Sequence, residues 1–129
     1  MAHQLADMLR TATEALNQGD VQTFLDLHAD DVVVHVTGRN AYSGTFTGKG
    51  ELASAFENQA KALDGPPQFE VHDVLASEAH GIMLGVQLAA RGGRTLQSRT
   101  AIIAHERDGK FSEIWVIPED PYAEDEFYS

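Results

Sequence analysis

Cysteine is absent from this chain of 129 residues, and basic residues are scarce. Without cysteine there are no disulfides, thiolate metal ligands or cysteine nucleophiles, so the cytoplasm is the expected location. Nine Lys and Arg stand against 20 Asp and Glu, which gives a formal net charge of −11. Because nucleic acids need a basic surface, we do not expect one as a partner. No apolar run approaches the roughly 18 residues of a membrane helix, so no membrane segment is expected either.

The rest of the composition is that of a globular domain, with 43% hydrophobic and 22% charged residues. One segment departs from it, since residues 119–129 contain five acids, no base and three aromatic side chains. We therefore predict a single domain over residues 1–129 that ends in an acidic-aromatic tail, residues 119–129. This tail is expected to be solvated, to pack across a partner subunit, or to cover the mouth of a pocket.

Apolar residues recur at helical spacing in three segments, residues 5–16, 21–28 and 52–63. Gly19 is placed to end the first helix, and Asp20 is placed to cap the second. These three segments are the expected helices of the domain.

Runs of β-branched and alternating residues predict extended structure. The expected strands are Val32–Val36, Phe69–Ala76, Ile82–Arg91, Thr95–Arg107 and Lys110–Ile117, with a short extended piece at Thr45–Phe46. Gly92-Gly93 and Asp108-Gly109 have the composition of two-residue hairpin turns, which need positive φ. This order of elements predicts an α+β domain in which a curved antiparallel sheet wraps around helices and encloses a small-molecule pocket.

The tight turns predict which strand residues share a face of the sheet. They pair Val86 with Arg99 and place Ile103 opposite Ile114, and an even-length turn between the two earlier strands pairs Asp73 with Val86. The face that collects these residues is mostly apolar. We therefore expect the helices to cover it.

The opposite face of the predicted sheet is mixed and partly apolar. It carries Phe111 and Trp115, which we expect to anchor a homodimer. The alternative is a curled sheet with a few exposed apolar residues.

Four segments resemble the nuclear-transport-factor-2-like superfamily, specifically its SnoaL-like polyketide cyclase branch. They are ALNQGD (15–20), FLDLHADDV (24–32), SGTFTG (43–48) and EIWVIP (113–118). Their order and spacing extend the resemblance over essentially the whole chain. It implies a cone-shaped domain, with the sheet wrapped around three helices, that is often a dimer. Members include isomerases, cyclases, epoxide hydrolases and non-catalytic binding modules, so the fold alone does not decide the function.

Ketosteroid isomerase, a relative in that superfamily, uses an aspartate base with a tyrosine and a protonated aspartate as its oxyanion hole. Aligned on the Gly-Asp and Ala-Asp-Asp segments, its tyrosine position falls near Ala12 and its base position at Val36. Its second aspartate position falls in the apolar stretch 101–103. All three groups are missing, so the chain is not expected to use that mechanism.

Asp73 and Arg99 are the first candidates for catalysis, because the predicted register places both on the apolar face beside Val86. A desolvated carboxylate can act as a general base while a guanidinium polarises a carbonyl or epoxide oxygen. Gln97, one step along the same face, would help to bind that oxygen. The alternative is an ordinary, partly buried ion pair.

His35 is a second candidate base, since it lies beside Val36, the base position implied by the isomerase alignment. The predicted binding residues are Gln97, Tyr42, His28, Val36, Val86, Ile103 and Val116. His28 has the alternative of a core histidine bonded to the backbone, and Tyr42 that of a solvated loop residue. No histidine pair has the spacing of a zinc site, and we expect no metal and no cofactor.

The leading hypothesis is a cofactor-independent cyclase, isomerase or hydrolase that acts on a hydrophobic, oxygen-bearing small molecule by general acid/base chemistry. Two alternatives remain open. One is a non-catalytic ligand-binding or assembly module, and the other is a dimerising domain whose pocket is filled by its own side chains.

Overall fold

The computed structural model of the chain describes residues 2–129, which form four helices and six strands. The helices are α1 (Ala2–Asn17), α2 (Val21–Asp26), α3 (Lys49–Ala62) and α4 (Pro121–Phe127). The strands are β1 (His28–Val36), β2 (Gly44–Thr47), β3 (Gln68–Ala76), β4 (His80–Arg91), β5 (Arg94–Arg107) and β6 (Lys110–Pro118). The segment expected as an acidic tail therefore contains a helix, α4.

The six strands form one curved sheet in the order β2-β1-β6-β5-β4-β3. The central strand β6 pairs parallel with β1 and antiparallel with β5. The other neighbouring pairs are antiparallel. The predicted α+β architecture, a curved sheet packed against helices, is confirmed.

The helices cover one face of this sheet. α1 packs on β3 and β4, α3 on β1 and β2, and α4 on β5 and β6. The apolar stripe of α1 is buried as the periodicity predicts, with Leu5 at 1% and Leu9 at 3% exposure. Within residues 2–129, no helix combines the length and the hydropathy that crossing a membrane demands.

The cap predicted for the second helix is present. The Asp20 carboxylate accepts hydrogen bonds from the Thr23 backbone N–H at 3.2 Å and from the Thr23 hydroxyl at 2.6 Å. The helix itself is shorter than expected, because α2 ends at Asp26 and His28 opens β1.

Both predicted hairpin turns are confirmed. Gly92, Gly93, Asp108 and Gly109 all have positive φ, between 55° and 82°. The first turn pairs Arg91 with Arg94 and gives the predicted register along β4 and β5, including Val86 opposite Arg99.

Two irregularities shift the register that the turns alone predict. Between His105 and Glu106 the β5–β6 pairing slips, so Ile103 lies opposite Trp115 instead of Ile114. In the β3–β4 hairpin the Ser77 N–H bonds to the His80 carbonyl, so the turn lies earlier than expected and Asp73 lies opposite Leu84 instead of Val86. A one-residue irregularity between Val71 and Asp73 then turns Asp73 to the side opposite Val71. Irregularities of this kind add an unpaired residue without a distinctive sequence pattern, so turn arithmetic cannot detect them.

The predicted faces of β4 and β5 are the wrong way round. Met83 and Thr100 point towards the helices and are 3% and 4% exposed. The opposite residues lie on the uncovered side, which we call the outer face and which consists of Ile82, Leu84, Val86, Arg99, Ala101, Ile103, Trp115 and Ile117. Both faces of these strands are apolar, so hydrophobic pattern alone could not decide which one the helices cover.

Phe111 does not lie on the uncovered face and cannot anchor a dimer there. It is 1% exposed and packs inside the domain, with its ring 5.1 Å from that of His28. The pairing of β1 with β6 is irregular beside Phe111, which turns this side chain inwards. Trp115 does face outwards, as expected.

Gly85 permits an unusually close approach of two strands. A Cβ atom here would lie 2.2 Å from the Glu70 carbonyl oxygen and 2.6 Å from the Phe69 ring. Its absence lets the Phe69 side chain cross β4 on the helix-covered side, where it contributes to a cavity.

Candidate functional site

A cavity of about 190 Å³ lies between the sheet and all four helices. Its walls are mostly apolar and aromatic, as ligand sites usually are. The apolar and aromatic lining residues are Leu9, Ala12, Leu16, Phe24, Val34, Val36, Phe46, Leu52, Ala55, Phe56, Pro67, Phe69, Met83, Ile102, Phe111, Ile114 and Val116. For scale, an apolar cavity of about 150 Å³ admits benzene, so an organic ring fits here.

Four of the predicted site residues line this cavity, namely His28, Val36, Tyr42 and Val116. They reach it from three places in the chain: β1, the loop before β2, and β6. The sequence therefore placed these four residues in one cavity wall, and their role in binding stays a prediction.

The predicted catalytic pair Asp73 and Arg99 is not part of the cavity. Asp73 is exposed on β3. Arg99 lies on the outer face, where its guanidinium binds the Glu119 carboxylate through Nε at 2.5 Å and Nη2 at 2.9 Å. The register shift in β3 and the inverted faces together separate the two side chains from the pocket.

Gln97, Val86 and Ile103 also fall outside the cavity, because they alternate with residues that point inwards. Gln87 and Ile102, the inward neighbours of Val86 and Ile103, line it instead, as does Thr100 beside Arg99. Successive residues of a strand point to opposite faces, so the reversed assignment of the two faces explains why all three residues lie outside the cavity.

His35 lies on the uncovered side of β1, and its ring stacks on Trp115 at 5.2 Å. Its Nε2 is 2.7 Å from the Glu113 carboxylate, and its Nδ1 is 3.2 Å from the Thr45 hydroxyl. Both ring nitrogens are therefore occupied outside the cavity, and His35 is not placed to act as its base.

His28 is the histidine that faces the cavity. Its residue is 1% exposed, and its ring lies between those of Phe24, at 4.5 Å, and Phe111, at 5.1 Å. Nδ1 is 2.8 Å from the Phe24 carbonyl oxygen, and because a carbonyl only accepts, Nδ1 carries the proton. Nε2 has no hydrogen-bond partner among residues 2–129. Its lone pair is therefore not engaged by any of these residues.

Burial lowers the pKa of His28 from 6.5 to about 4. The Phe24 carbonyl acts in the opposite direction, and the positive charge of Lys49 adds to the lowering. At neutral pH the imidazole is therefore uncharged, with a fixed tautomer whose Nε2 accepts.

Glu124, on α4, is a lining residue that the sequence reasoning missed. It is 6% exposed, and its Oε1 has no hydrogen-bond partner among the described residues. Burial raises the pKa of the Glu124 carboxyl, and the charge of Asp125 raises it further, while the Ser98 side chain opposes this with a hydrogen bond. This environment therefore favours the neutral acid more than water does.

Tyr128 lies one helical turn after Glu124 and lines the same cavity. Its hydroxyl oxygen accepts a hydrogen bond from Gln59 Nε2 at 2.9 Å. Burial raises the pKa of Tyr128 above its ordinary value of 10.0. The phenol therefore keeps its proton, and that proton is available to a ligand.

α4 is fixed to the rest of the domain at two points. The Asp125 carboxylate accepts from the Arg39 backbone N–H at 2.8 Å and from Asn40 Nδ2 at 2.9 Å. Arg91 Nη1 donates to the carbonyl oxygens of Phe127 at 3.1 Å and Ser129 at 3.2 Å. The C-terminal segment thus forms a wall of the cavity, one of the arrangements expected for it.

A sequence signal for this wall does exist. Asp120 caps the helix by accepting from the Ala123 N–H at 3.3 Å, and Pro121 occupies the first turn. Glu124, Phe127 and Tyr128 then follow at helical spacing. A cap, a proline at the start and an i, i+3, i+4 pattern together predict a short amphipathic helix.

A model of the SnoaL-like domain family matches residues 9–114 of the chain. Among curated proteins, the uncharacterised protein Rv0034 of Mycobacterium tuberculosis is 27% identical over 124 residues, which cover 95% of each chain. The predicted resemblance to this branch is confirmed.

Solved structures share the whole fold. Bal32a, from a soil-derived mobile gene cassette, has a TM-score of 0.94 at 26% identity, over 99% of this chain and 98% of its own. IdmH, a putative polyketide cyclase from Streptomyces antibioticus, has a TM-score of 0.73 at 20% identity, over 88% of this chain and 90% of its own. Further matches are described as nuclear-transport-factor-2-like and cystatin-like, which confirms the predicted fold class.

Proposed function

The chain belongs to the SnoaL-like domain family, and on this premise we propose that it is a cofactor-independent enzyme of the cyclase or isomerase type. Its substrate is a hydrophobic, oxygen-bearing small molecule bound in the cavity between sheet and helices. One observation carries the proposal: the buried, uncharged His28 lines an apolar cavity, and its Nε2 has no hydrogen-bond partner among the described residues. The putative polyketide cyclase IdmH, which shares the fold, supports the same reaction class.

In this mechanism His28 is the general base. The substrate's C–H bond next to a carbonyl breaks, its electron pair forms an enolate, and the proton passes to Nε2. In an isomerase the proton returns to a different carbon. In a cyclase the enolate carbon attacks a second carbonyl of the same molecule, a C–C bond forms, and the proton goes to the resulting alkoxide. Neither sequence consumes an oxidant or a cofactor.

The surroundings of His28 suit this role in two respects. Its Nδ1–H bond to the Phe24 carbonyl fixes the ring orientation and the tautomer. The lowered pKa of His28 keeps Nε2 unprotonated at neutral pH but also makes it a weaker base. A developing enolate nearby offsets this, because its negative charge favours the imidazolium that forms. Epoxide hydrolysis by an Asp73 and Arg99 pair loses its basis, because these side chains lie outside the cavity.

Proton exchange tests the proposal without knowledge of the natural substrate. A panel of aromatic ketones and 1,3-diketones is incubated with the protein in deuterated water, and deuterium incorporation beside the carbonyl is followed by NMR. We expect the wild type to incorporate deuterium faster than buffer alone does. His28→Gln should reduce this rate enhancement about 10²- to 10⁴-fold.

The matched control is His72→Gln, because His72 is exposed on β3 away from the cavity. It should exchange at the wild-type rate. Equal rates in wild type and His28→Gln would contradict the role of His28. Tight binding of the panel with no exchange above buffer would favour the alternative of a non-catalytic binding module.

A second proposal concerns assembly. The outer face exposes a contiguous apolar patch, in which the register places Ile82 beside Ile103 and Ile103 beside Trp115. Ile82, Leu84 and Ile117 are 38–40% exposed. Apolar patches of this kind mark interaction sites, and we propose that a second copy of the chain covers it as a homodimer. Trp115 would be an anchor of this interface, and Phe111 would not.

A further inference from the structure

Glu124 has the position of a hydrogen-bond donor. It is 6% exposed and is the carboxylic acid among the described residues that line the cavity. An ionised Oε1 there would have no hydrogen-bond partner among the described residues, which is costly in an apolar site. A neutral carboxyl avoids that cost and presents an O–H group that needs an acceptor.

The charges around Glu124 do not compensate a carboxylate. Among the described lining residues there is no Lys or Arg. The neighbouring charge on α4 is Asp125, which has the same sign. Arg91, the nearby cation from β4, donates its hydrogen bonds to the carbonyl oxygens of Phe127 and Ser129 at the end of α4. The cavity therefore holds polar groups without holding a net charge.

Tyr128 adds a second donor on the same side of α4. Its hydroxyl oxygen accepts from Gln59, which leaves its hydrogen to be donated to a different acceptor. Glu124 and Tyr128 are four residues apart, which places both on one face of the helix. His28 is then the acceptor, and α4 supplies the donors.

We propose that Glu124, as a neutral acid, donates a hydrogen bond to the carbonyl oxygen of the bound molecule, with Tyr128 as a second donor. The ligand class of the cavity is then the uncharged ketone, and carboxylates and phosphates are excluded. This inference rests on the proposed function, in which His28 removes the proton beside that carbonyl. A donor held at this oxygen binds more strongly as the oxygen gains negative charge in the enolate.

Three probes of nearly the same shape test the ligand class by isothermal titration calorimetry. They are 2-acetylnaphthalene, which is a ketone, 2-isopropenylnaphthalene, in which a methylene replaces the carbonyl oxygen, and the anion 2-naphthoate. We expect the ketone to bind about tenfold more tightly than the alkene, the ratio that one hydrogen bond of about 1.4 kcal/mol gives. We expect 2-naphthoate to bind more weakly than both.

Variants of Glu124 assign the donor. Glu124→Gln keeps an N–H donor of similar shape and should retain a preference for the ketone. Glu124→Leu removes the donor, and the preference should fall to about twofold or less. Glu126→Leu, an exposed position on the same helix, is the matched control and should bind as the wild type does.

Two spectroscopic readouts separate a donor from a merely structural residue. The carbonyl carbon of ¹³C-labelled 2-acetylnaphthalene should move downfield on binding to the wild type and should move clearly less in Glu124→Leu, in which Tyr128 is the remaining donor. The infrared spectrum at pH 7 should contain a protonated-carboxyl band that Glu124→Gln lacks.

The inference is overturned by equal affinity of the wild type for ketone and alkene, by an unchanged preference in Glu124→Leu, or by the absence of the carboxyl band. These measurements are made at equilibrium and need no turnover. A protein that prefers the ketone and exchanges no proton would therefore refute the catalytic role of His28 and leave the ligand class standing.

Discussion

At the scale of single residues, His28 and His35 carry the same side chain on one strand in opposite surroundings. His35 is bonded at both nitrogens on the uncovered side of β1. His28 is enclosed by aromatic rings and bonded at one nitrogen. His35 is therefore held by polar partners outside the cavity, whereas His28 has one nitrogen without a partner among the described residues and a lowered pKa.

The lowered pKa of His28 predicts a stability that depends on pH. The folded protein binds this proton less readily than the unfolded chain, whose histidine has a pKa near 6.5. The contribution to the free energy of unfolding is therefore complete above about pH 6.5 and is lost as the pH falls towards about 4. The loss is on the order of 3 kcal/mol in full and about 2 kcal/mol at pH 5.

Urea unfolding at pH 7 and pH 5 measures this loss. His28→Gln should lose about 2 kcal/mol less than the wild type between the two pH values. His72→Gln, at an exposed position, should keep the wild-type difference. A His28→Gln variant with the full acid sensitivity of the wild type would show that other groups cause it.

Sequence reasoning was most successful where a residue type dictates backbone geometry. Gly92-Gly93 and Asp108-Gly109 predict their turns because both positions need positive φ. It failed at Val71–Asp73 and His105–Glu106, because either stretch could continue as a regular strand. The candidate site followed a similar division: His28, Val36 and Val116 of β1 and β6 line the cavity and His35 does not, whereas the proposed residues of β4 and β5 were assigned to the wrong face.

At the scale of elements, α4 has the largest effect on the site. It carries Glu124 and leads into Tyr128, and Asp125 ties it to the loop that contains Asn40. The sequence did not decide whether this segment is a solvated tail or covers the pocket, since its five carboxylates are typical of a solvated surface. Phe127 and Tyr128 are only 5% and 6% exposed, which shows that the segment packs against the sheet and covers the cavity.

Asp125→Ala should loosen this wall. It removes the acceptor of two hydrogen bonds, from the Arg39 N–H and from Asn40 Nδ2. The expected loss in the free energy of unfolding is about 1–3 kcal/mol, measured by chemical denaturation. Affinity for 2-acetylnaphthalene should fall as well, because the donors move with the helix.

Glu126→Ala is the control for this change, since it removes a similar charge from an exposed position of α4. It should leave both stability and affinity close to those of the wild type. If the two variants behave alike, general charge on α4 matters more than the bond from Asp125 to the loop.

At the scale of the whole molecule, the outer face and the net charge act against one another. Two chains that each carry a formal charge of −11 repel. The residues at the centre of the outer face, such as Leu84, Ala101 and Ile103, are uncharged and offer a surface where association can overcome that repulsion. Association through this face should therefore strengthen as salt screens the charge.

Leu84→Lys tests the homodimer. Leu84 is 40% exposed on the outer face, so a charge there should abolish the dimer without disturbing the core. Sedimentation velocity should give a dimer for the wild type and a monomer for the variant. Val21→Lys, at a 41% exposed position on α2, is the matched control and should remain a dimer. A monomeric wild type across micromolar concentrations would refute the proposal.

The place of β6 in the sheet has a consequence for how the protein is made. This strand follows every other strand in sequence, yet it joins β1 to β5 in the middle of the sheet. Without β6, the strand pair β1–β2 and the three strands β3–β5 have nothing to join them, and each set has an open edge that invites pairing with another chain. The cavity is incomplete before β6 is in place, because this strand contributes Phe111, Ile114 and Val116 to its wall. A ligand can therefore rescue a poorly folding variant only after this last strand has been added.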